Sequence, residues 1–174
     1  EIVGTLAVAE ELKAPSAENI NLTFSEGKIN GTKIAVPDAE IATHAIVVAK
    51  TDSGASLQLV DLSANGVNIE KQENIDESRG YFSIAFKDVE SKLIGDSSTG
   101  WELYEYIINQ AAVLFGYEQI GGSQAALDMA ISYAKERYAF GRQIGSFQAI
   151  KHKLADMYIA LTLAKSNCYY AAWA

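Results

Sequence analysis

The chain has 174 residues, of which 49% are hydrophobic and 21% are charged, and its formal net charge is −8. These proportions are those of an ordinary globular protein and exclude general disorder. The excess of acid argues against general nucleic-acid binding, which depends on Lys and Arg to neutralise phosphates. All of that excess lies in residues 1–100, with 16 acids and 8 bases, whereas residues 101–174 carry 6 of each.

The cysteine and histidine content limits the chemistry further. The single cysteine, Cys168, cannot form an internal disulfide, so we expect a cytoplasmic protein in a reducing compartment. His44 and His152 lie far apart and without a metal-binding spacing, so no metal site is expected. No stretch approaches the ~20 apolar residues that span a bilayer, so no membrane insertion is expected. Because the chain opens inside a strand-like run and stops inside a helical pattern, we expect a fragment of a longer protein.

The first part of the chain reads as short strands separated by turns. Residues 21–25 and 81–86 alternate apolar and polar side chains, which is typical of strands with one buried face. So many short strands in under a hundred residues predict a small β-barrel or sandwich. The predicted strands cover residues 2–9, 20–25, 28–36, 43–50, 55–61, 67–70 and 81–87.

After about residue 97 the apolar period changes from 2 to 3.6. A long helix is predicted over 101–138, with Ser98 or Thr99 as its N-cap. The pair Gly121-Gly122 lowers helix propensity and predicts a kink or a close helix contact.

A second helix is predicted over 146–174, capped by Ser146, after a break at 139–145. Its apolar residues recur at alternating spacings of three and four, the seam of a helix packed along another helix. The predicted fold class is therefore α+β, a small β-barrel or sandwich domain (1–97) followed by an antiparallel helical hairpin (98–174) from a truncated four-helix bundle. The seam consists of Phe147, Ile150, Leu154, Met157, Leu161, Ala164 and Cys168.

The turn between the two predicted helices is basic. Guanidinium groups bind phosphate oxygens in a fork, and free N–H groups at a helix start add a positive dipole end, so phosphate fits such a place. The residues alone leave open a solvated surface that binds nothing. The basic side chains are those of Lys135, Arg137, Arg142, Lys151 and Lys153, interleaved with Tyr138, Phe140 and Phe147.

The run 121–157 resembles the start of the C-terminal helical domain of the acyl-CoA dehydrogenases. That pattern is R-x-x-F-G, a later Gln, and then L-A-D-M; here it consists of Arg137, Phe140, Gly141, Gln148 and residues 154–157. Residues 29–51 and 86–101 resemble, more loosely, the G-T-K run and the exit of that family's middle domain. The resemblance covers nearly the whole chain.

The resemblance implies a flavoprotein that oxidises the Cα–Cβ bond of a CoA thioester, with a base taking the α proton and FAD taking the hydride. It also implies FAD as cofactor, acyl-CoA as substrate, and a homo- or hetero-oligomer of acyl-CoA dehydrogenase subunits. In the family, the arginine and the glutamine of the pattern reach an FAD held mainly by the neighbouring subunit. By position, these cofactor-binding roles go to Arg137 and Gln148, with Phe140 shaping the same pocket. Fatty-acid or steroid substrates, and dehydrogenase or oxidase chemistry, stay open.

The sequence departs from the family pattern where members hold their own flavin. Members carry W-I-T or W-I-S after G-T-K, and a T-E-P segment that leads to G-S-D. Here Ala35 and Pro37 stand in the first place and Ala9 in the second, which removes an aromatic face and two hydroxyl groups.

A second departure concerns the catalytic groups. The places that often hold an Asp and an Arg near the thioester hold Asn109 and Ala112, and the place of the glutamate of some members holds Ala111. The commoner base position lies beyond residue 174. No catalytic residue is therefore assigned within this chain.

Three functional hypotheses follow. The chain is part of a complete acyl-CoA dehydrogenase subunit, or of a degenerate subunit that lends Arg137 and Gln148 to a flavin-bearing neighbour, or it is a non-catalytic helical interaction module. The spacing of the arginine, the F-G pair and the glutamine argues against the third hypothesis. The missing flavin contacts favour the second over the first.

Overall fold

A computed structural model describes residues 2–76 and 78–174, which divide into two compact units, one up to Tyr106 and one from Ile107. The first unit holds the strands up to Ile94, and the second holds most of the helical residues and one short pair of strands. Among the described residues, no helix combines the length and the apolar character needed to cross a membrane.

The strands of the first unit form one mixed sheet. They are β1 (Gly4–Ala7), β2 (Thr23–Ser25), β3 (Lys28–Pro37), β4 (His44–Thr51), β5 (Gly54–Asp61), β6 (Val67–Gln72), β7 (Tyr81–Glu90) and β8 (Lys92–Ile94). All seven predicted strands are present, and β8, which was not predicted, is a three-residue strand paired with β5. The order along the sheet is β6-β7-β3-β2-β4-β5-β8, and β1 pairs in parallel with β4.

The core of the first unit lies inside a curved sheet. Ala45 and Val47 of β4 share one buried cluster with Ile84 and Phe86 of β7, although β3 and β2 separate these strands in the pairing order. The sheet must therefore curve around a common core. The described strands pair along an open path with β6 and β8 at its ends, so they do not close a barrel. With the two long helices, the α+β class is confirmed.

Helix α1 spans Gly100–Glu136, and its start packs against β5. The carbonyl of Thr99 accepts the N–H of Leu103 at 3.1 Å, which marks the first turn. A Cβ on Gly100 would lie 2.4 Å from the Cα of Ser56, so only glycine allows this approach. The helix start is thus fixed by a backbone contact that the sequence pattern did not indicate.

The glycine pair inside α1 does not make the expected close helix contact. A Cβ on Gly121 or Gly122 would meet nothing within 4 Å, and the helix runs through both positions. The close contact lies one turn earlier, where a Cβ on Gly116 would lie 2.9 Å from Sγ of Cys168. Periodicity alone did not distinguish these glycines because the distinction depends on where the other helix lies.

The predicted break between the helices is an ordered hairpin. Strands β9 (Tyr138–Ala139) and β10 (Arg142–Gln143) pair antiparallel, and a 3-10 turn at Ile144–Ser146 leads into α2 (Gln148–Trp173). The predicted N-cap role of Ser146 is wrong. Its hydroxyl donates to the carbonyl of Gln143 at 2.6 Å, because the 3-10 turn places it one residue before the cap position.

The two helices share a small apolar cluster. Ile120, Leu127 and Leu161 are buried, and Leu154 and Cys168 pack against them. The predicted core position of Met157 is wrong within this unit, since 46% of its surface stays exposed. Further along, the rings of Tyr117 and Tyr169 meet in a T-shaped, edge-to-face arrangement, with centroids 5.5 Å apart.

Candidate functional site

The basic turn, defined as residues 135–153, is held rigidly against the end of α1. The N–H of Arg137 donates to the carbonyl of Tyr133 at 2.9 Å, and the N–H of Ile144 donates to the carbonyl of Arg137 at 2.8 Å. A Cβ on Gly145 would lie 2.8 Å from the carbonyl oxygen of buried Ala134. Because backbone contacts fix both sides of the hairpin, the backbone that carries these side chains has a defined position relative to the end of α1.

Phe140 stands at the tip of the hairpin in a conformation that is unfavourable for its residue type. Its φ is 53° and that of Gly141 is 77°, as in a two-residue turn with both central residues left-handed. Asn-Gly is the preferred pair in such turns, because a bulky side chain is strained there. The ring is also 96% exposed. Phe140 therefore combines backbone strain with an apolar surface in water, which is typical of a residue kept for binding.

The hairpin tip is linked to the start of α2 through Phe147. The rings of Phe140 and Phe147 meet in a T-shaped, edge-to-face arrangement, with centroids 6.3 Å apart. The guanidinium carbon of Arg142 lies 4.1 Å from the Phe147 ring centroid, a cation–π contact. Arg142 and the two rings thus form one cluster beside Gln148, the first residue of α2.

The cations of the basic turn are available to an anion. Within the described ranges, the ion pairs are Lys13 with Glu11 and Lys33 with Glu10, both in the first unit. The basic side chains of the turn are all exposed and take part in neither pair. The turn therefore carries uncompensated positive charge. These side chains are Lys135, Arg137, Arg142, Lys151 and Lys153.

The start of α2 adds to this positive field. Its N-cap residue, Phe147, makes no side-chain cap hydrogen bond, and its first turn contains no acidic residue. The positive end of the helix dipole is therefore not neutralised by the chain's own side chains. Together with forked guanidinium donors, this set of groups fits a phosphate or diphosphate ligand.

The structure places the three predicted cofactor-binding residues in this single turn. Arg137 follows the last residue of α1, Phe140 forms the hairpin tip, and Gln148 begins α2. All three are exposed, and Gln148 follows directly on the residue whose ring Phe140 contacts. Sequence reasoning missed the contact of Arg142 with Phe147, because it depends on the 3-10 turn that joins β10 to α2.

The end of β3, where the resemblance would place the chain's own flavin, does not fit that group. Ala35 has a φ of 51°, and its N–H is already bonded to Oε1 of Gln72 at 2.8 Å. Pro37 has no N–H, and its carbonyl accepts the hydroxyl of Thr5 at 2.6 Å. Neither position offers a large apolar face or a free backbone donor to a flat ring.

A cavity of about 430 Å³ lies beside Ala35. Among its described lining residues two are acidic and none is basic, whereas an adjoining cavity of about 690 Å³, which shares five of these residues, adds Lys71 and Arg79. The lining of the smaller cavity consists of Leu12, Ala35, Gln72, Glu73, Asn74, Asp76 and Tyr81.

Ala9, the third altered position, lies in a segment fastened to β3 by a buried ion pair. The carbonyl of Ala9 accepts the N–H of Ile34 at 2.8 Å. Next to it, the wholly buried ammonium of Lys33 donates to the carbonyl of Val8 at 2.9 Å and to Glu10 at 2.7 Å. This segment is therefore positioned by its own internal contacts, with no hydroxyl at residue 9.

Catalytic groups are missing from the positions on α1 that the resemblance singles out. Asn109 and Ala112 are exposed and Ala111 is half-buried, and none of them can act as a base. No group of three side chains suited to hold a metal occurs among the described residues.

Comparison with known proteins identifies the family. Residues 98–174 match the family model described as acyl-CoA dehydrogenase, C-terminal domain. The chain is 34% identical over 156 residues to the probable acyl-CoA dehydrogenase YngJ of Bacillus subtilis (strain 168), covering 83% of this chain and 41% of that protein. It is 31% identical over 184 residues to the mitochondrial short-chain specific acyl-CoA dehydrogenase of Homo sapiens, covering 98% and 45%.

The solved structures agree with this assignment. A structure of PigA with FAD and proline superimposes with a TM-score of 0.88 at 26% identity, covering 99% of this chain and 49% of that chain. The chain belongs to the acyl-CoA dehydrogenase family. It spans less than half the length of the two curated relatives named above.

Proposed function

We propose that this chain is part of a flavin-dependent acyl-CoA dehydrogenase-type oxidoreductase, and that its basic turn contributes contacts to an FAD held mainly by a neighbouring subunit. Bound FAD would accept hydride during α,β-dehydrogenation of a CoA thioester. In this proposal Arg137 binds a phosphate oxygen, Gln148 bonds a ribose or phosphate oxygen, and Phe140 packs against the cofactor. The family assignment, and the FAD in the PigA structure, support this choice of cofactor.

The observation that carries the proposal is the state of Phe140. Phe140 is strained and 96% exposed at the tip of a fixed hairpin, and its ring contact within the unit is the one with Phe147. Binding to an apolar surface of a ligand or a neighbouring subunit would compensate both the strain and the exposure.

We also propose that this subunit does not hold a flavin of its own. The internal bonds of Ala35 and Pro37 support this proposal. The chain would then work as the degenerate member of a hetero-oligomer, and the reacting groups would come from elsewhere in the assembly.

We propose that the chain has the domain arrangement of the acyl-CoA dehydrogenase family. We place the domain boundary at residue 98, and interpret α1 and α2 as an antiparallel hairpin of a larger helical bundle. The contacts of Tyr117 with Tyr169 and of Leu127 with Leu161 support the antiparallel arrangement, since they advance in opposite directions along the two helices. Large exposed apolar side chains on α2, such as Ile159 and Leu163, support oligomerisation.

The first experiment measures flavin content. The protein purified alone with FAD supplied should show no flavin absorbance, whereas its complex with a related flavin-bearing subunit should be yellow. Stoichiometric FAD on the protein alone would replace this proposal with that of a complete enzyme.

The second experiment tests Arg137 within that complex. Arg137→Ala removes a charge-assisted pair of about 1.5 to 3 kcal/mol, so FAD affinity should fall by roughly one to two orders of magnitude. Lys165→Ala, an exposed change further along α2, is the matched control and should leave the affinity unchanged. Unchanged flavin retention in Arg137→Ala would remove the basis for this assignment.

A helical interaction module without catalysis is the second candidate function. The exposed apolar side chains of Tyr158, Ile159 and Leu163 on α2 favour it, because they offer a docking surface that needs no cofactor. This candidate predicts that Arg137→Ala leaves the flavin retention of the complex with a flavin-bearing subunit unchanged, so the second experiment separates it from the first candidate.

A further inference from the structure

Arg142 is a cation of the basic turn whose guanidinium carbon lies over an aromatic ring of the same turn. Its guanidinium carbon lies 4.1 Å from the centroid of the Phe147 ring. Arg142 belongs to β10, where its backbone pairs with Ala139, and Phe147 is the N-cap residue of α2. Two backbone elements thus position the two side chains that meet.

We infer that Arg142 is a further phosphate-binding residue of the basic turn and that Phe147 is its positioning residue. The ligand class is the diphosphate of a dinucleotide such as FAD. The inference rests on the proposed function, and it adds a residue that lies outside the arginine, F-G and glutamine pattern.

The chemistry of guanidinium supports this assignment. A guanidinium that stacks on an aromatic ring keeps its N–H groups in the plane of the fork, where they can bind two phosphate oxygens. The contact of Arg142 is made by its guanidinium carbon over the ring, and such a cation–π contact does not consume the N–H donors of the group. No carboxylate among the described residues forms an ion pair with Arg142, so its N–H groups are available.

The surroundings favour an anion at the same place. The uncapped start of α2 lies at Phe147 itself, so the helix dipole and the guanidinium act on one region. A lysine could supply the charge at this position but neither the fork nor the flat stacking surface. This difference makes the lysine variant informative.

The experiment compares FAD with riboflavin, which has the same ring but no diphosphate. The complex of this protein with a flavin-bearing subunit is first stripped of its flavin. Each compound is then titrated into the stripped complex, and binding is followed by flavin fluorescence. Arg142→Ala should weaken FAD binding about tenfold and leave riboflavin binding unchanged. Arg142→Lys should give an intermediate loss for FAD.

Salt dependence and the ring provide two further readouts. Removing one phosphate-binding cation should make the dependence of FAD affinity on salt concentration shallower.

Phe147→Leu keeps an apolar side chain but removes the π face, so it should weaken FAD binding. The helix content measured by circular dichroism should stay unchanged. Lys165→Ala is again the control and should match the unmodified protein.

The results for the two arginine variants distinguish a failure of the inference from a failure of the proposed function. If Arg137→Ala weakens FAD binding but Arg142→Ala does not, the inference is overturned and the proposed function stands. If Arg142→Ala weakens FAD and riboflavin equally, its role is structural and the inference is again overturned. If neither arginine matters, or the complex binds no FAD, the proposed function and the inference fail together.

Discussion

The ammonium nitrogen of Lys33 lies 2.7 Å from Oε1 of Glu10, and the lysine side chain is completely buried. Glu10 also accepts the N–H groups of Asn21 and Leu22, so the pair joins three separate parts of the first unit. Burial lowers the pKa of Lys33, and the contact with Glu10 offsets part of that effect. Burial raises the pKa of Glu10, but the hydrogen bonds from Lys33 and from Leu22 outweigh it and hold the pKa below its ordinary range.

Removing one member of this pair should destabilise the first unit strongly. Lys33→Met keeps the length of the apolar stem but leaves a nearly buried carboxylate without its cation, which typically costs about 3 to 5 kcal/mol. Glu10 would still accept the N–H groups of Asn21 and Leu22, so we expect a loss near the lower end of this range. Denaturant unfolding would measure the loss. The double variant with Glu10→Gln should recover part of it, and a double variant no more stable than Lys33→Met would contradict the pairing energy.

Acidification should expose the contribution of Glu10. Because its folded-state pKa is lowered from 4.5, the stabilisation is fully present above that value and is lost as the pH falls through the folded-state pKa. Asp61, which accepts two bonds from Ser63, shifts in the same direction. The difference between the unmodified protein and Glu10→Gln, measured by unfolding from pH 6 to pH 3, should therefore shrink on acidification. A difference independent of pH would argue against an ionised Glu10.

Two glycines of α1 should respond oppositely to the same substitution. Gly121→Ala should stabilise the protein by about 0.5 to 1 kcal/mol, because alanine favours helix and its Cβ would meet nothing within 4 Å. Gly100→Ala should destabilise by about 1 to 3 kcal/mol, because its Cβ would lie 2.4 Å from backbone atoms of Ser56. Thermal unfolding of the two variants would show the contrast. Equal melting temperatures would indicate that the start of α1 does not pack on β5 as described.

Replacing Phe140 should separate stability from binding. Phe140→Asn places a residue that tolerates a φ of 53° before Gly141, so the protein should become more stable by about 1 kcal/mol. The flavin-bearing complex should at the same time retain FAD less well. Tyr138→Asn replaces a 62% exposed aromatic outside the strained turn, and no gain in melting temperature is expected. A Phe140→Asn variant that is less stable would show that the ring supports the hairpin through Phe147.

The positions of the strands and helices were largely readable from the sequence because they depend on local periodicity. The alternation in 81–86 indicated β7, and the period of 3.6 after residue 100 indicated α1 to within two residues of its observed end at Glu136. The hairpin at 138–143 was not readable. Its turn residue is Phe140, and no turn propensity predicts a phenylalanine in a left-handed conformation.

The residue pattern from Arg137 to Gln148 also indicated the family and the basic turn, because residue types at fixed spacings are a property of the chain itself. What the tertiary structure decided were contacts between residues distant in sequence, such as the bond from Ala35 to Gln72 and the burial of Lys33 against Glu10. It also decided the cation–π contact of Arg142 with Phe147, which depends on the turn between β10 and α2. Periodicity reports which face of an element is apolar, but it does not report which other element covers that face. Only the folded arrangement brings the partners of these side chains within bonding distance.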